Sequence, residues 1–192
     1  MTKKNTVSSL KNHCLVAMPS LDGSLFERSV ILICGHTKKG AQGLMLTHPL
    51  EVTFGDLLVQ LNLSVASGFS KQAKPIFCGG PVSPENGFVL HTGTQAYTSS
   101  ILLEEGLSLT ASMDILKAMA YNKGPSESQI FLGSSQWDAG QVEREIETHL
   151  WLVVPFTLEL LFTISVEKRW AKAVQLAGIQ EPYQLVKTIG HG

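Results

Sequence analysis

The chain has 192 residues, 44% of them hydrophobic and only 16% charged, long enough for one filled domain and well short of the usual quarter of charged residues. That deficit points to a large core, or to surface covered by association into a homo-oligomer. Lys and Arg number 15 against 16 Asp and Glu, so there is no overall positive field to hold a phosphate backbone, and direct nucleic-acid binding is not expected.

Near the N-terminus only Cys14–Met18 is continuously apolar, too short for a secretory-signal core and far too short to span a bilayer. No membrane association is expected. Cys14, Cys34 and Cys78 are odd in number and lack Cys-x-x-Cys spacing, which argues against a disulfide framework or zinc finger and for a reducing, cytoplasmic home. No linker, charge run or internal repeat divides the sequence, so residues 1–192 read as a single domain with loosely ordered tails at 1–10 and 182–192.

In chain order, His13–Met18 reads as a strand ended by Pro19, and Arg28–Cys34 as a second whose unbroken apolarity implies burial on both faces. Residues 20–27 between them read as irregular loop. Thr37–Gly40 is a turn, Gly43–Thr47 a third strand and His48-Pro49 its stop. Thr53-Phe54-Gly55-Asp56 matches a capping box, and Leu57, Leu58 and Leu61 give the stripe of a short helix.

The segment Lys74–Thr92 organises the rest. Ile76-Phe77-Cys78 and Gly87–His91 read as buried strands separated by Gly79-Gly80-Pro81, where glycine tolerates positive φ and proline removes a donor. The expectation is a strand, a tight loop and a strand, with the loop flooring the main concave surface. Ser100–Leu103 and Leu107–Thr110 then fit a small hairpin. Ser112 or Thr110 can cap a helix carrying Ile115, Leu116 and Met119, which Gly124-Pro125 stops.

Gln129–Leu132 returns as a strand, and Asp138 can cap a helix with Gln141 at the capping-box position and Val142 and Ile146 as its buried edge. Trp151–Val154 is a last strand before Pro155. Thr157–Phe162 reads as helical, and Ser165 caps a final helix with the stripe Trp170, Val174 and Ala177 and the stop Gly178. Trp137, Trp151 and Trp170 each adjoin an apolar run and belong in or beside the core. Clustered strands with helices between only some of them indicate an α+β fold with a mixed, largely antiparallel sheet, a doubly wound sheet being the alternative.

Four stretches together carry a family resemblance: LVAMPSLDGSLFERSVILICGH (Leu15–His36), GAQGLMLTHPL (Gly40–Leu50), CGGPVSPENGFVLHT (Cys78–Thr92) and GSSQWDAGQVEREIETHLWLVVP (Gly133–Pro155). In this order the chain resembles the YqgE/AlgH proteins of bacteria. The resemblance implies one compact domain, its sheet partly barrel-like and its helices packed outside. It implies no agreed activity, cofactor or catalytic residue. Some members carry a regulatory name, from a proposed role in transcriptional control of exopolysaccharide production. The family usually reads Gly-x-x-x-Asn-(Lys or Arg)-Pro where this chain has Thr47-His48-Pro49, which removes the Asn and basic side chain there.

Cys34 and His36 lie two apart and face one way on an extended chain, and His91 ends another strand. A Cys/His/His metal site has none of the recognised zinc spacings, so no metal is expected. Cys78 with His91 as nucleophile and base, and the Gly79 and Gly80 N–H groups as oxyanion donors, would make an enzyme. Burial of Cys78 in an apolar strand disfavours its thiolate. Glu143, Glu145 and Glu147 read as a solvated helix face, and Lys168, Arg169 and Lys172 are too few for a duplex-reading helix.

The sequence therefore points to a cytoplasmic, non-enzymatic module with a regulatory role. It would bind a protein partner or small ligand, without cofactor, through Gly79, Gly80, His36 and His91. The alternative is an enzyme using the Gly79-Gly80-Pro81 loop with Cys78, His36 and His91.

Overall fold

Strand alternation accounts for the centre of the sheet in the computed structural model, which describes residues 9–182. In β2 (Val30–Thr37) every residue from Val30 to Cys34 is buried, because odd and even positions enter different cores. Val30, Leu32 and Cys34 pack with Leu44, Phe77 and Phe131. Ile31 and Ile33 pack on the other face with Leu15, Met45 and Trp137. β1 (His13–Ala17) and β3 (Gly40–Met45) flank β2 antiparallel, and β10 (Trp151–Pro155) pairs with the far edge of β1.

The hub is β9 (Ser128–Asp138). Its last residues pair with β3, and its first half lies between β5 (Pro75–Cys78), which runs parallel to it, and β6 (Val82–Thr92), which runs antiparallel. Beyond β6 come β8 (Leu107–Thr110) and β7 (Ser100–Leu102), while β4 (Pro49–Thr53) pairs with β5. The fold is α+β: a single domain whose mixed, largely antiparallel sheet curls into a half-barrel with helices outside. Helices α1 (Phe54–Gln60) and α2 (Met113–Ala120) cover Ile76, Val89 and Ile130, making a further core with Phe54, Leu58, Ile115 and Met119. Among the described residues no helix is long and apolar enough to cross a membrane.

The helix signals hold to different degrees. The Thr53–Asp56 capping box is formed in both directions. Asp138 does not cap α3 (Gln141–Glu147). It ends β9, left-handed Gly140 stands at the N-cap, and Gln141 Oε1 accepts the Asp138 N–H. The 157–162 region contains a π-helical turn, Glu159–Thr163. In α4 (Val166–Leu176) the buried stripe is Arg169, Trp170, Ala173 and Val174, whereas Ala177 is the exposed C-cap. β4 begins at Pro49, although His48-Pro49 reads as a stop; proline is tolerated there as the first residue of a strand. The tail expectation for 1–8 and 183–192 lies outside the described residues, and Leu10 is buried.

Ile76–Cys78 and Gly87–His91 do not pair with each other. They lie on opposite edges of β9, so Gly79-Gly80-Pro81 has to cross it. The crossing is backbone on backbone. A Cβ at Gly79 would stand 2.3 Å from the Gly133 carbonyl oxygen, and one at Gly80 2.3 Å from the backbone of Ser134 and Ser135. The crossing is tied down by the Gly79 N–H to Leu132 O (2.8 Å) and by Met45 N–H and Ser135 Oγ, both donating to Gly79 O (3.0 and 3.1 Å). Gly133 turns β9 at φ +71° directly beneath it.

Candidate functional site

β3 and β9 bring Gln42 and Gln136 into direct register, and their side-chain amides both donate to the buried Ser134 Oγ, at 3.3 and 3.2 Å. These two amides lie in an open groove of about 600 Å³. Its ends are the β2–β3 turn, with Thr37, Lys39 and Gly40, and the β9–α3 turn, with Asp138 and Gln141. One Lys, one Asp and three Gln amides give it little net charge and many hydrogen-bonding groups. His36 and Trp137 complete the wall.

His36 is held from both sides. Its Nδ1 accepts the Leu10 N–H at 2.9 Å, which requires the ring proton on Nε2, and that N–H donates to Glu143 Oε1 at 2.9 Å. The ring is then neutral and the Glu143 contact is a hydrogen bond rather than an ion pair. Trp137 is fixed by Glu145, whose Oε2 accepts the indole N–H of Trp137 and of Trp151, each at 2.8 Å, while Oε1 accepts from Gln141 at 2.8 Å.

The other candidate residues lie elsewhere. Gly79 and Gly80 are buried in the β9 crossing and do not line the groove. His91 pairs with Ser128 at the first residue of β9, whereas His36 reaches β9 through Ala41, the partner of Trp137. Nine residues of strand separate these points, about 30 Å at 3.3 Å per residue. His91 is 1% exposed, with Nε2 against Thr110 Oγ1 at 2.9 Å and its ring against the edge of Tyr97. Cys78 Sγ donates to Gly80 O at 3.7 Å. Burial pushes the Cys34 thiol up to about 12 and Cys14 higher still. Among the described residues no three His, Cys, Asp or Glu side chains come together to hold a metal.

Burial lowers the His91 pKa, and the Thr92 carbonyl only partly opposes it. The folded state resists a proton that the unfolded chain accepts near pH 6.5. The stabilisation from neutral His91 is thus complete above that pH and is lost as the pH falls through the lowered folded value. His48 is shifted the same way, again by burial. The melting temperature should fall between pH 7.5 and 5, and His91→Gln should make that fall shallower. Equal pH slopes for wild type and variant in calorimetry would contradict this.

A second cavity, of about 290 Å³, lies where Thr47-His48 departs from the family pattern. Glu27, Arg28, His48, Val166, Glu167 and Trp170 line it. Nothing local in the sequence singles out Gln42, Gln136 or Arg28 as a binding residue. The only signal was a lone Gln in the apolar run of β3; its partner lies 94 residues away.

The AlgH-like family model (DUF179) matches residues 14–182. A UPF0301 protein of Stenotrophomonas maltophilia (strain R551-3) is 43% identical over 186 residues, 97% of this chain and 98% of that protein. One from Shewanella frigidimarina is also 43% identical, over 96% of this chain and all of its own length. The solution structure of the AlgH protein from Pseudomonas aeruginosa superimposes with a TM-score of 0.79 at 32% identity, covering 100% of this chain and 98% of the other. A crystal structure from Corynebacterium diphtheriae, at 22% identity and a TM-score of 0.69 over 92% of this chain and 90% of its own, shares the fold. The chain belongs to the AlgH-like, UPF0301 family, for which no enzymatic role is established.

Proposed function

We propose that this protein is a non-enzymatic cytoplasmic binding module that takes a small polar ligand in the His36 groove and acts on a regulatory protein partner. The observation that carries this reading is the state of His36. Both ring nitrogens are already committed, to Leu10 N–H and Glu143 Oε1, so the ring shapes the groove wall and has no lone pair left to act as a base. The amides of Gln42, Gln136 and Gln141 offer neutral donors and acceptors, the equipment of recognition.

A ligand bound between the β2–β3 and β9–α3 turns would contact two segments that are distant in sequence, and a partner could sense their fixed spacing. Regulation through protein contact fits a formal net charge of −1 better than duplex binding does. Native mass spectrometry of protein purified under mild conditions tests the reading. A retained added mass of small-molecule size in wild type, lost in Gln136→Ala, is expected. Wild type and variant each appearing at its bare polypeptide mass, with no added mass on either, would count against it.

A further inference from the structure

We infer that the second cavity binds a free α-amino acid, with its carboxylate on Arg28 and His48 and its ammonium between Glu27 and Glu167. This inference stands apart from the His36 groove. The donors come first. The Arg28 guanidinium lies 5.8 Å from the centroid of the Trp170 ring and has no hydrogen bond or ion pair among the described residues. Its backbone is left-handed, φ 49°, a conformation that a non-glycine residue keeps only where its surroundings hold it. Five N–H groups in a planar fork are therefore presented on an aromatic platform, the geometry that suits a carboxylate.

His48 adds one donor. Thr47 Oγ1 accepts the Val30 N–H at 3.3 Å and lies 2.9 Å from His48 Nδ1; with the Thr47 hydroxyl donating there, the ring proton is on Nε2, which has no partner among the described residues. Two acceptors face these donors: Glu27, whose Oε2 is held by the Gly23 N–H at 2.9 Å, and Glu167 in the first turn of α4. Neither carboxylate pairs with Arg28, although both line the same cavity.

Charge complementarity selects the ligand. A simple anion, inorganic phosphate included, would meet two carboxylates. A simple cation would meet Arg28. A small zwitterion whose ammonium and carboxylate are carried on one carbon satisfies both pairs, and about 290 Å³ is at the lower limit of small-molecule pockets, which favours a small ligand. The nearby Arg169 does not compete, since its donors are all taken by carbonyl oxygens.

The test follows the three indole N–H resonances of nitrogen-15-labelled protein during titration with L-alanine, acetate, ethylamine or inorganic phosphate. Trp137 and Trp151 share Glu145 beside the groove and serve as internal controls. L-alanine should shift the Trp170 signal saturably, and acetate and ethylamine should each need about tenfold more. Arg28→Lys, which keeps the charge and loses the fork, should weaken L-alanine by about tenfold while the remaining amide spectrum shows an intact fold. Glu27→Gln should weaken L-alanine and leave acetate unchanged or improved. The inference is overturned by the absence of a saturable Trp170 shift, by acetate or phosphate binding as well as L-alanine, by wild-type binding in Arg28→Lys, or by a shift at Trp137 in place of Trp170.

Discussion

Gly80→Ala is expected to remove much of the stability of the domain. The added methyl would stand 2.3 Å from the Ser134 and Ser135 backbone and 2.4 Å from Ser135 Oγ, on a residue at φ +148°. Neither side can yield cheaply, because Ser135 belongs to the β9 stretch that pairs with β3 and Ser134 to its pairing with β6. Overpacking of a tight interior and the positive φ together cost about 2–5 kcal/mol, a large share of the 5–15 kcal/mol of an ordinary domain. Two other glycines calibrate the effect. Gly23 has positive φ and open space, so Gly23→Ala should lose about 1 kcal/mol. Gly35 has open space without that φ and should tolerate alanine. Urea unfolding of the three variants should give the order Gly35, Gly23, Gly80 in rising cost. A Gly80 variant as stable as the Gly35 one would show that the crossing relaxes freely.

Arg169 should be the most sensitive charged position. Its side chain is 5% exposed, and it donates from Nε to Ile164 O at 3.1 Å, from Nη1 to Leu46 O at 2.5 Å and from Nη2 to Leu161 O at 2.6 Å. The guanidinium also lies 5.4 Å from the Phe77 ring centroid. One side chain thus joins α4, the π-helical turn and the segment that directly follows β3. Arg169→Met keeps the bulk but leaves three carbonyls without these donors, each worth about 1–3 kcal/mol when buried and unpaired. A loss of about 4 kcal/mol is expected. Arg169→Lys should recover only part of it, because one ammonium cannot reproduce a planar fork. Losses below about 1 kcal/mol for both variants in urea unfolding would mean that solvent or a local shift satisfies the carbonyls.

The fold class was legible in the sequence because its signals are local. Continuous apolarity marked Arg28–Cys34 as buried on both faces, and the structure divides Val30–Cys34 between two cores. The Thr53–Asp56 box, the Gly178 stop and the Ile115, Leu116, Met119 stripe depend on near neighbours, and all three formed. Some local readings failed where a stronger local geometry existed. Left-handed Gly140 displaced Asp138 as the start of α3, and Pro49 began a strand where it had read as a stop.

The placement of the candidate residues was not legible. Gly79 and Gly80 were recognised as conformationally special, but the reason is the β9 backbone more than fifty residues later, which only strand order reveals. His36 and His91 looked alike as strand-end histidines, yet the length of β9 sets them apart and gives one a groove wall and the other a buried contact with Thr110. Gln42 beside Gln136, and Arg28 across from His48, are products of pairing and loop closure. Sequence by itself determined the elements and which faces are apolar, because those follow from periodicity and short-range sterics. Tertiary structure alone decided which polar groups converge, because strand order and register depend on the summed packing of the whole sheet, and no window of neighbouring residues contains that sum.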